Sequence, residues 1–233
     1  MIDIHAHILP DLDDGPANEA SALEMARQAL LDGITTVIAT PHVHSGELDD
    51  AEINARVTRL RGVLLENNIP LEIKPGAEVA FDGLDLARLN LLNEGPYVLI
   101  EFPHAYIPAE AEEVLHALRH QGLYPIIAHP ERNGGVIRNP ESLFHLLGDD
   151  IFLQITAASL TGILGSAAQH CALYLLRKGF VHFLATDCHS PKHRKPELAV
   201  ACKVAAKIVG KQQAVKLVRD NPLAVVRGTR LLH

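Results

Sequence analysis

Tryptophan is absent from this 233-residue chain, and cysteine, tyrosine and phenylalanine number only three, four and six. Each scarcity closes off a class of protein. The three cysteines, Cys171, Cys188 and Cys202, are an odd number without paired metal-ligand spacing, so neither a disulfide framework nor a structural zinc site is expected. Lysine and arginine total 21 against 28 aspartates and glutamates, and the net charge of -7 leaves no broad basic surface to hold a phosphate backbone. No nucleic-acid partner is expected. No apolar run is long enough to cross a bilayer, and the opening Met-Ile-Asp-Ile-His lacks the basic region and apolar stretch of a secretory leader. The expectation is a cytoplasmic protein that is not membrane-embedded. Linkers rich in Pro, Gly or Ser are missing too, which favours one domain over residues 1–233.

What the chain does have is apolar residues and histidine. Hydrophobic residues make up 48% of it, enough for a sizeable core, so disorder is excluded. Short β-type runs near 1–6, 34–39, 71–75, 97–102, 124–128, 151–155 and 181–186 alternate with helical patterns near 17–31, 49–67, 109–121, 140–147, 163–178, 196–209 and 211–219. A shorter helix is expected around 84–92. Gly33, Gly122 and Gly179 each stand where a helix should stop before the next strand. Seven strands on one repeated β-then-α plan predict a distorted parallel α/β barrel, with a doubly wound sheet as the rival.

The 14 histidines cluster with carboxylates at the strand ends. His5 and His7 leave one face at the end of the first strand, a spacing that lets two imidazoles converge on one ion. Alone, that pair is equally compatible with a polar loop. The theme repeats, however: Asp14 follows the first strand, His42 and His44 the second, and Glu78 the third, while Glu101 ends the fourth, His129 the fifth, and Asp187 with His189 the seventh. In a parallel barrel these ends meet on one rim, where active sites are built. Such a mixture of imidazole and carboxylate suits manganese, zinc or iron. A single structural ion needs four ligands, and at least eight candidates are present. More than one ion is therefore expected, with a carboxylate such as Glu78 able to bridge two. Clustered ions can hold a phosphate oxygen, generate hydroxide near neutral pH and steady a leaving oxygen. Arg132 and Arg194 fall in loops on the same rim, where a guanidinium can hold two phosphate oxygens.

Two neighbours of these residues point elsewhere. Strand parity turns His182 away from Asp187, so a hydrogen-bonded structural role is expected for it. Parity also groups Asp187 with His189 and puts Cys188 opposite, provided the extended geometry continues that far. Cys188 and Arg194 do match the Cys-x5-Arg spacing of cysteine-dependent phosphatases. The intervening His-Ser-Pro-Lys-His lacks glycine and includes Pro191, which has no N–H to offer phosphate, so a cysteine nucleophile is not expected.

Taken in order, the segments MIDIHAHILPDLDDGP, ATPHVHSG, PGAEV, IEFPH, AHPERN, QITAASLTGILG, LATDCHS and DNPLAVVRG run nearly from first residue to last. The chain resembles the polymerase and histidinol phosphatase (PHP) superfamily, and within it the manganese-dependent tyrosine phosphatases of bacterial capsular and exopolysaccharide synthesis. The resemblance implies a distorted seven-stranded TIM-like barrel with three divalent ions, manganese first and iron or zinc as alternatives. It implies one ion on His5, His7, Glu78 and Asp187, a second on Glu78, Glu101 and His129, and a third on Asp14, His42 and His189. By the same resemblance, glutamate at position 101 matches the tyrosine-phosphatase subgroup, whereas many relatives elsewhere in the superfamily look as if they carry histidine there. Arg132 and Arg194 match the phosphate-contacting arginines, and the implied partner is a phosphotyrosine-bearing protein, a cognate tyrosine autokinase. One departure is Gly46-Glu47-Leu48, where the subgroup often has an aromatic residue after the glycine. His44 reads as a loop residue beside the ligands, and His44 or His193 is available to protonate a leaving group. Two other readings stay open: a small-molecule phosphomonoesterase acting on a substrate like histidinol phosphate, and a non-catalytic, metal-stabilised kinase-binding protein.

Overall fold

The structure, a computed structural model, describes residues 1–44, 48–148 and 150–231. Its strands are β1 (Ile2–Ala6), β2 (Thr36–Ala39), β3 (His42–Val43), β4 (Glu72–Pro75), β5 (Glu78–Ala80), β6 (Tyr97–Glu101), β7 (Tyr124–Ala128), β8 (Phe152–Thr156) and β9 (Phe183–Ala185). Among the described residues nine strands occupy the seven expected passes, because the second and third are each broken. Thr40-Pro41 separates β2 from β3, and Pro41 has no N–H for the ladder. Gly76-Ala77 separates β4 from β5 at a crowded point. A Cβ on Gly76 would lie 2.7 Å from Ile38 Cγ2 and 2.8 Å from Leu92 Cδ2.

All pairings are parallel, in the orders β1-β2-β4 and β3-β5-β6-β7-β8-β9. The ring closes where Ala6 bridges Cys188, with Asp187 N–H donating to His5 O at 2.8 Å and His7 N–H to Cys188 O at 2.9 Å. Period-two alternation divides the apolar residues into two cores. Ile38, Tyr97, Leu99, Ile126, Ala128, Phe152, Phe183 and Ala185 fill the barrel, while Val37, Val98, Ile100, Ile127, Leu153, Ile155 and Leu184 pack outward in a second cluster with the helices. Burying a side chain such as Phe152 contributes roughly 1.5–3 kcal/mol. Val225 and Leu231 belong to the inner core, and the Tyr97 hydroxyl donates to Thr229 O at 2.8 Å, so the C-terminal segment packs against the barrel filling.

The outer layer contains α1 (Glu19–Asp32), α2 (Asp50–Glu66), α3 (Ala111–His120), α4 (Gly134–Arg138), α5 (Ala157–Leu160), α6 (Ser166–Arg177), α7 (Ala199–Val209), α8 (Lys211–Val215) and α9 (Asn221–Arg227). The expected stops Gly33, Gly122 and Gly179 all take positive φ. Four expectations need correction. The helix around 84–92 is absent, replaced by single 3-10 turns at Phe81–Gly83 and Leu92–Glu94. The expected 140–147 helix is only a 3-10 turn at Pro140–Leu143, and α4 precedes it because Asn133 caps a Gly-Gly start that reads as loop. The expected 163–178 helix starts at Ser166, after Gly165 at φ 95°. The last helix continues past 219 through a π turn into α9, since Pro222 sits in the first turn, where its missing N–H costs nothing. Among the described residues no helix is long and apolar enough to cross a membrane.

Candidate metal centre

The barrel directs its polar residues to one rim, and β1 does so by an irregularity. Asp3 pairs with Val37 and Ala6 with Ala39, so β1 spends one more residue than β2 between the two pairs. The extra residue puts Ile4 in the inner core and still turns His5 toward the site. Glu101 continues the inward alternation of Tyr97 and Leu99, and Gln154 that of Phe152. Two further residues leave regular geometry: His129 has φ 31° and Asp187 φ 52°. Non-glycine residues held there cost of order 1–3 kcal/mol and concentrate at functional sites. Asp187 and His189 do sit together, Nδ1 to Oδ1 3.7 Å, while Cys188 packs in the outer core. The grouping matches the parity argument, but its premise fails, because the left-handed residue at 187 ends the extended chain.

Glu78 is the centre of the cluster. Its Oε2 lies 3.1 Å from His5 Nε2, 3.2 Å from His7 Nε2 and 3.2 Å from His42 Nδ1, and its Oε1 lies 2.8 Å from His129 Nε2. Asp187 Oδ1 lies 3.4 and 3.5 Å from the Nε2 atoms of His5 and His7. Glu101 approaches His129 and His42 at 3.6 and 3.7 Å. On the outer side Asp14 Oδ1 lies 3.1 Å from His189 Nε2 and 3.5 Å from His42 Nε2. His42 therefore stands between two groups, one ring nitrogen toward Glu78 and Glu101 and the other toward Asp14. The structure thus brings His5, His7, Asp14, His42, Glu78, Glu101, His129, Asp187 and His189 to one place, in groups with ligand atoms within 4.8 Å of one another.

Hydrogen bonds behind the rings decide what the front can do. Gln154 Oε1 lies 2.8 Å from His5 Nδ1, and Asp13 Oδ2 lies 2.7 Å from His7 Nδ1. Both are acceptors, so each Nδ1 carries the proton and each Nε2 presents a lone pair. These two Nε2 atoms are 3.3 Å apart and face carboxylates. Glu78 Oε2, Asp187 Oδ1 and His189 Nε2 are buried without a hydrogen-bond partner. Lone pairs converging on buried lone pairs require cations, and borderline divalent ions match this donor set. In the bare protein, protons occupy those places. Burial opposes charge on His7, but the Asp13 and Glu78 carboxylates beside its two ring nitrogens outweigh burial and raise its pKa to about 10. His5 is raised against burial by Glu78 and Asp187. Glu78 is held well below the usual carboxylate range, against burial, by His5 and His129. Burial and the charge on His7 push His189 down to about 3.

Above the cluster opens a cleft of about 360 Å³ whose walls include Phe102, Pro103, His104, His44, Arg132 and Arg194. Both arginines lie 2.5 Å from Asp187 Oδ2, on the oxygen opposite the one facing the histidines. One carboxylate therefore orients both guanidinium groups at the mouth of the cluster. His44 lines the cleft and is exposed; His193 is not among the lining residues. Gly46 and Glu47 of the Gly46-Glu47-Leu48 departure lie outside the described residues. Cys188 is buried, and burial pushes its thiol well above the ordinary range. The N–H groups of His189 and Ser190 donate to Arg194 O, so that loop folds on itself instead of surrounding an anion. His182 Nδ1 accepts from Leu153 N–H at 3.1 Å, the structural role expected of it. Two residues of the site carry little signal in the sequence: Asp13, one of the adjacent pair Asp13-Asp14, and Gln154, marked only by its inward parity with Phe152.

A parallel barrel with a His, Asp and Glu cluster on its C-terminal rim and two arginines at the mouth defines the class of metal-dependent barrel hydrolases. Residues 1–227 match the family described as capsular polysaccharide synthesis, CpsB/CapC. The chain is 39% identical over 230 residues to the tyrosine-protein phosphatase YwqE of Bacillus subtilis, covering 96% of this chain and 91% of that one. It is 28% identical over 238 residues to the tyrosine-protein phosphatase CpsB of Streptococcus pneumoniae, covering 97% and 98%. A solved structure from work on those two proteins, described as unique metal-dependent tyrosine phosphatases, superposes with a TM-score of 0.94 at 38% identity, over 100% of this chain and 96% of the other. The chain belongs to the CpsB/CapC family.

Proposed function

We propose that the chain is a metal-dependent protein-tyrosine phosphatase of the capsular polysaccharide type, acting on a phosphotyrosine-bearing protein, a cognate tyrosine autokinase. The observation that carries this reading is the set of buried, unpartnered ligand atoms on Glu78, Asp187 and His189 directly beneath two arginines held by one carboxylate. His5, His7, Glu78 and Asp187 would hold a first divalent ion, Glu78, Glu101 and His129 a second, and Asp14, His42 and His189 a third, manganese suiting the mixed imidazole and carboxylate donor set. Ions held there supply Lewis-acid polarisation of phosphate and lower the pKa of water.

The chain's own residues do the rest. Arg132 and Arg194, each held through one nitrogen by Asp187, present their remaining N–H groups to the outer phosphate oxygens and fix the phosphoryl group at the mouth of the cluster. Asp187 keeps both guanidinium groups aimed while facing the histidines with its other oxygen. Phe102 and Pro103 form an apolar wall beside which the phenol ring can rest. His44 lies on the cleft wall, where a proton can be passed to the departing phenolate oxygen. Phenolate is a fairly good leaving group, so this proton is an aid and not a requirement.

Turnover of a phosphotyrosyl peptide, histidinol phosphate and a nucleotide, measured side by side with Mn²⁺ and with a chelator, tests the reading. Mn²⁺-dependent preference for the peptide is the expected result. Preference for histidinol phosphate would reassign the substrate, and inactivity with ions bound would reduce the chain to a binding protein.

A further inference from the structure

Asp13 has no part in the ligand set proposed above, yet it is heavily engaged at the rim. Its Oδ2 accepts from His7 Nδ1–H at 2.7 Å and from the His42 backbone N–H at 3.1 Å, and its Oδ1 accepts from Gly15 N–H at 2.9 Å. The local chain is shaped to permit this. A Cβ on Gly15 would lie 2.7 Å from His7 O and 2.9 Å from Asp13 Oδ1, so a larger residue would force the carboxylate away.

We propose that Asp13 is a positioning residue that couples the first and third ion sites. One oxygen does both jobs. By holding the proton on His7 Nδ1 it turns Nε2 toward Glu78 and Asp187, and by holding the His42 N–H it places the ring whose Nε2 meets Asp14 and His189. Gln154 does only the first job, for His5, and does it with a neutral oxygen. A carboxylate behind an imidazole makes it a stronger donor than an amide does, so His7 is the stronger donor of the pair. The second site, Glu78, Glu101 and His129, is built from residues to which Asp13 makes none of these bonds. Removing the carboxylate should therefore weaken two ions and spare one. The inference rests on the three-ion reading of the centre.

The test is a Mn²⁺ titration of the full chain and its Asp13→Asn variant by calorimetry, with ions counted by native mass spectrometry. Wild type is expected to hold three ions, and the variant to keep one at unchanged affinity with two weakened by roughly 10–100-fold, the usual effect of losing a partner behind a ligand. Three ions in the variant at wild-type affinities would overturn the coupling and leave the three-ion reading intact. Equal weakening of all three would mark a general structural loss and also overturn it. Fewer than three in wild type would remove the reading itself and the coupling with it. Should the variant fail to fold, the histidine ¹⁵N spectrum of the Zn²⁺-loaded wild-type chain decides: His7 with Nδ1–H and bound Nε2 supports the proposal, and bound Nδ1 defeats it.

Discussion

Replacing Glu78 by Gln isolates the residue on which the centre depends. Its two oxygens face four imidazoles at 2.8–3.2 Å, and two of the three proposed ions share it. An ion that binds only the folded state at 100 times its Kd adds about 2.7 kcal/mol of stability. Three such ions add roughly 8 kcal/mol, and at about 2–4 °C per kcal/mol for a chain of this size the melting temperature should rise by roughly 16–32 °C over the chelated protein. Gln keeps the shape of Glu78 but replaces an anionic oxygen with an N–H donor. The first and second ions lose their shared ligand, leaving a rise of roughly 5–11 °C from the third. Thermal melts of both proteins with Mn²⁺ and with a chelator measure the difference. A Glu78→Gln protein that keeps the full Mn²⁺-induced rise would refute the shared-ligand argument.

Other consequences are as direct. Arg132→Ala or Arg194→Ala should lower kcat by about 10²–10³-fold, the usual loss when one preorganised charge stabiliser is removed, with the Mn²⁺ count unchanged; an equal loss of bound ions would place the arginine among the metal-holding residues. Cys188→Ser should retain turnover and iodoacetamide should leave wild type active, since the thiol is buried and its pKa is pushed up by that burial; rapid inactivation would revive the cysteine route. In the metal-free protein His7 titrates at about 10 against 6.5 unfolded, so its protonated ring contributes stability that is full below pH 6.5 and lost as pH rises through 10. Mn²⁺ must displace that proton, so calorimetry at pH 8 in buffers of different ionisation heat should detect proton release, and affinity should rise with pH. Gly76→Ala should destabilise by about 1–3 kcal/mol in a thermal melt, because its Cβ meets Ile38 and Leu92.

Much of the barrel was legible because each strand carries its own period-two pattern: Tyr97, Leu99 and Glu101 alternate inward, Val98 and Ile100 outward, and Gly33, Gly122 and Gly179 mark the helix ends. Strand-end placement likewise points to the rim residues. What stayed hidden depends on the third dimension. The extra residue in β1 is visible only against the pairing with β2, and it is what puts Ile4 and His5 on the same side. Asp13 and Asp14 are indistinguishable as letters, yet one lies behind His7 and the other beside His189. The left-handed Asp187 ends the extended chain on which strand parity depends. Segment 84–92 is rich in leucine, but Leu84, Leu89 and Leu91 pack against the outer core while Leu92 enters the inner one, and Asp85 closes a turn by accepting from the N–H groups of Ala87 and Arg88.

On the proposed function, one rim cluster binds several ions and turns them on phosphotyrosine. Stepwise Mn²⁺ reconstitution of the chelated chain, with ions per chain and turnover of a phosphotyrosyl peptide read on the same samples, tests it most directly. No turnover is expected in the chelated chain, and full activity only as the third ion is bound. Full turnover without ions, or at a single ion per chain, would contradict it.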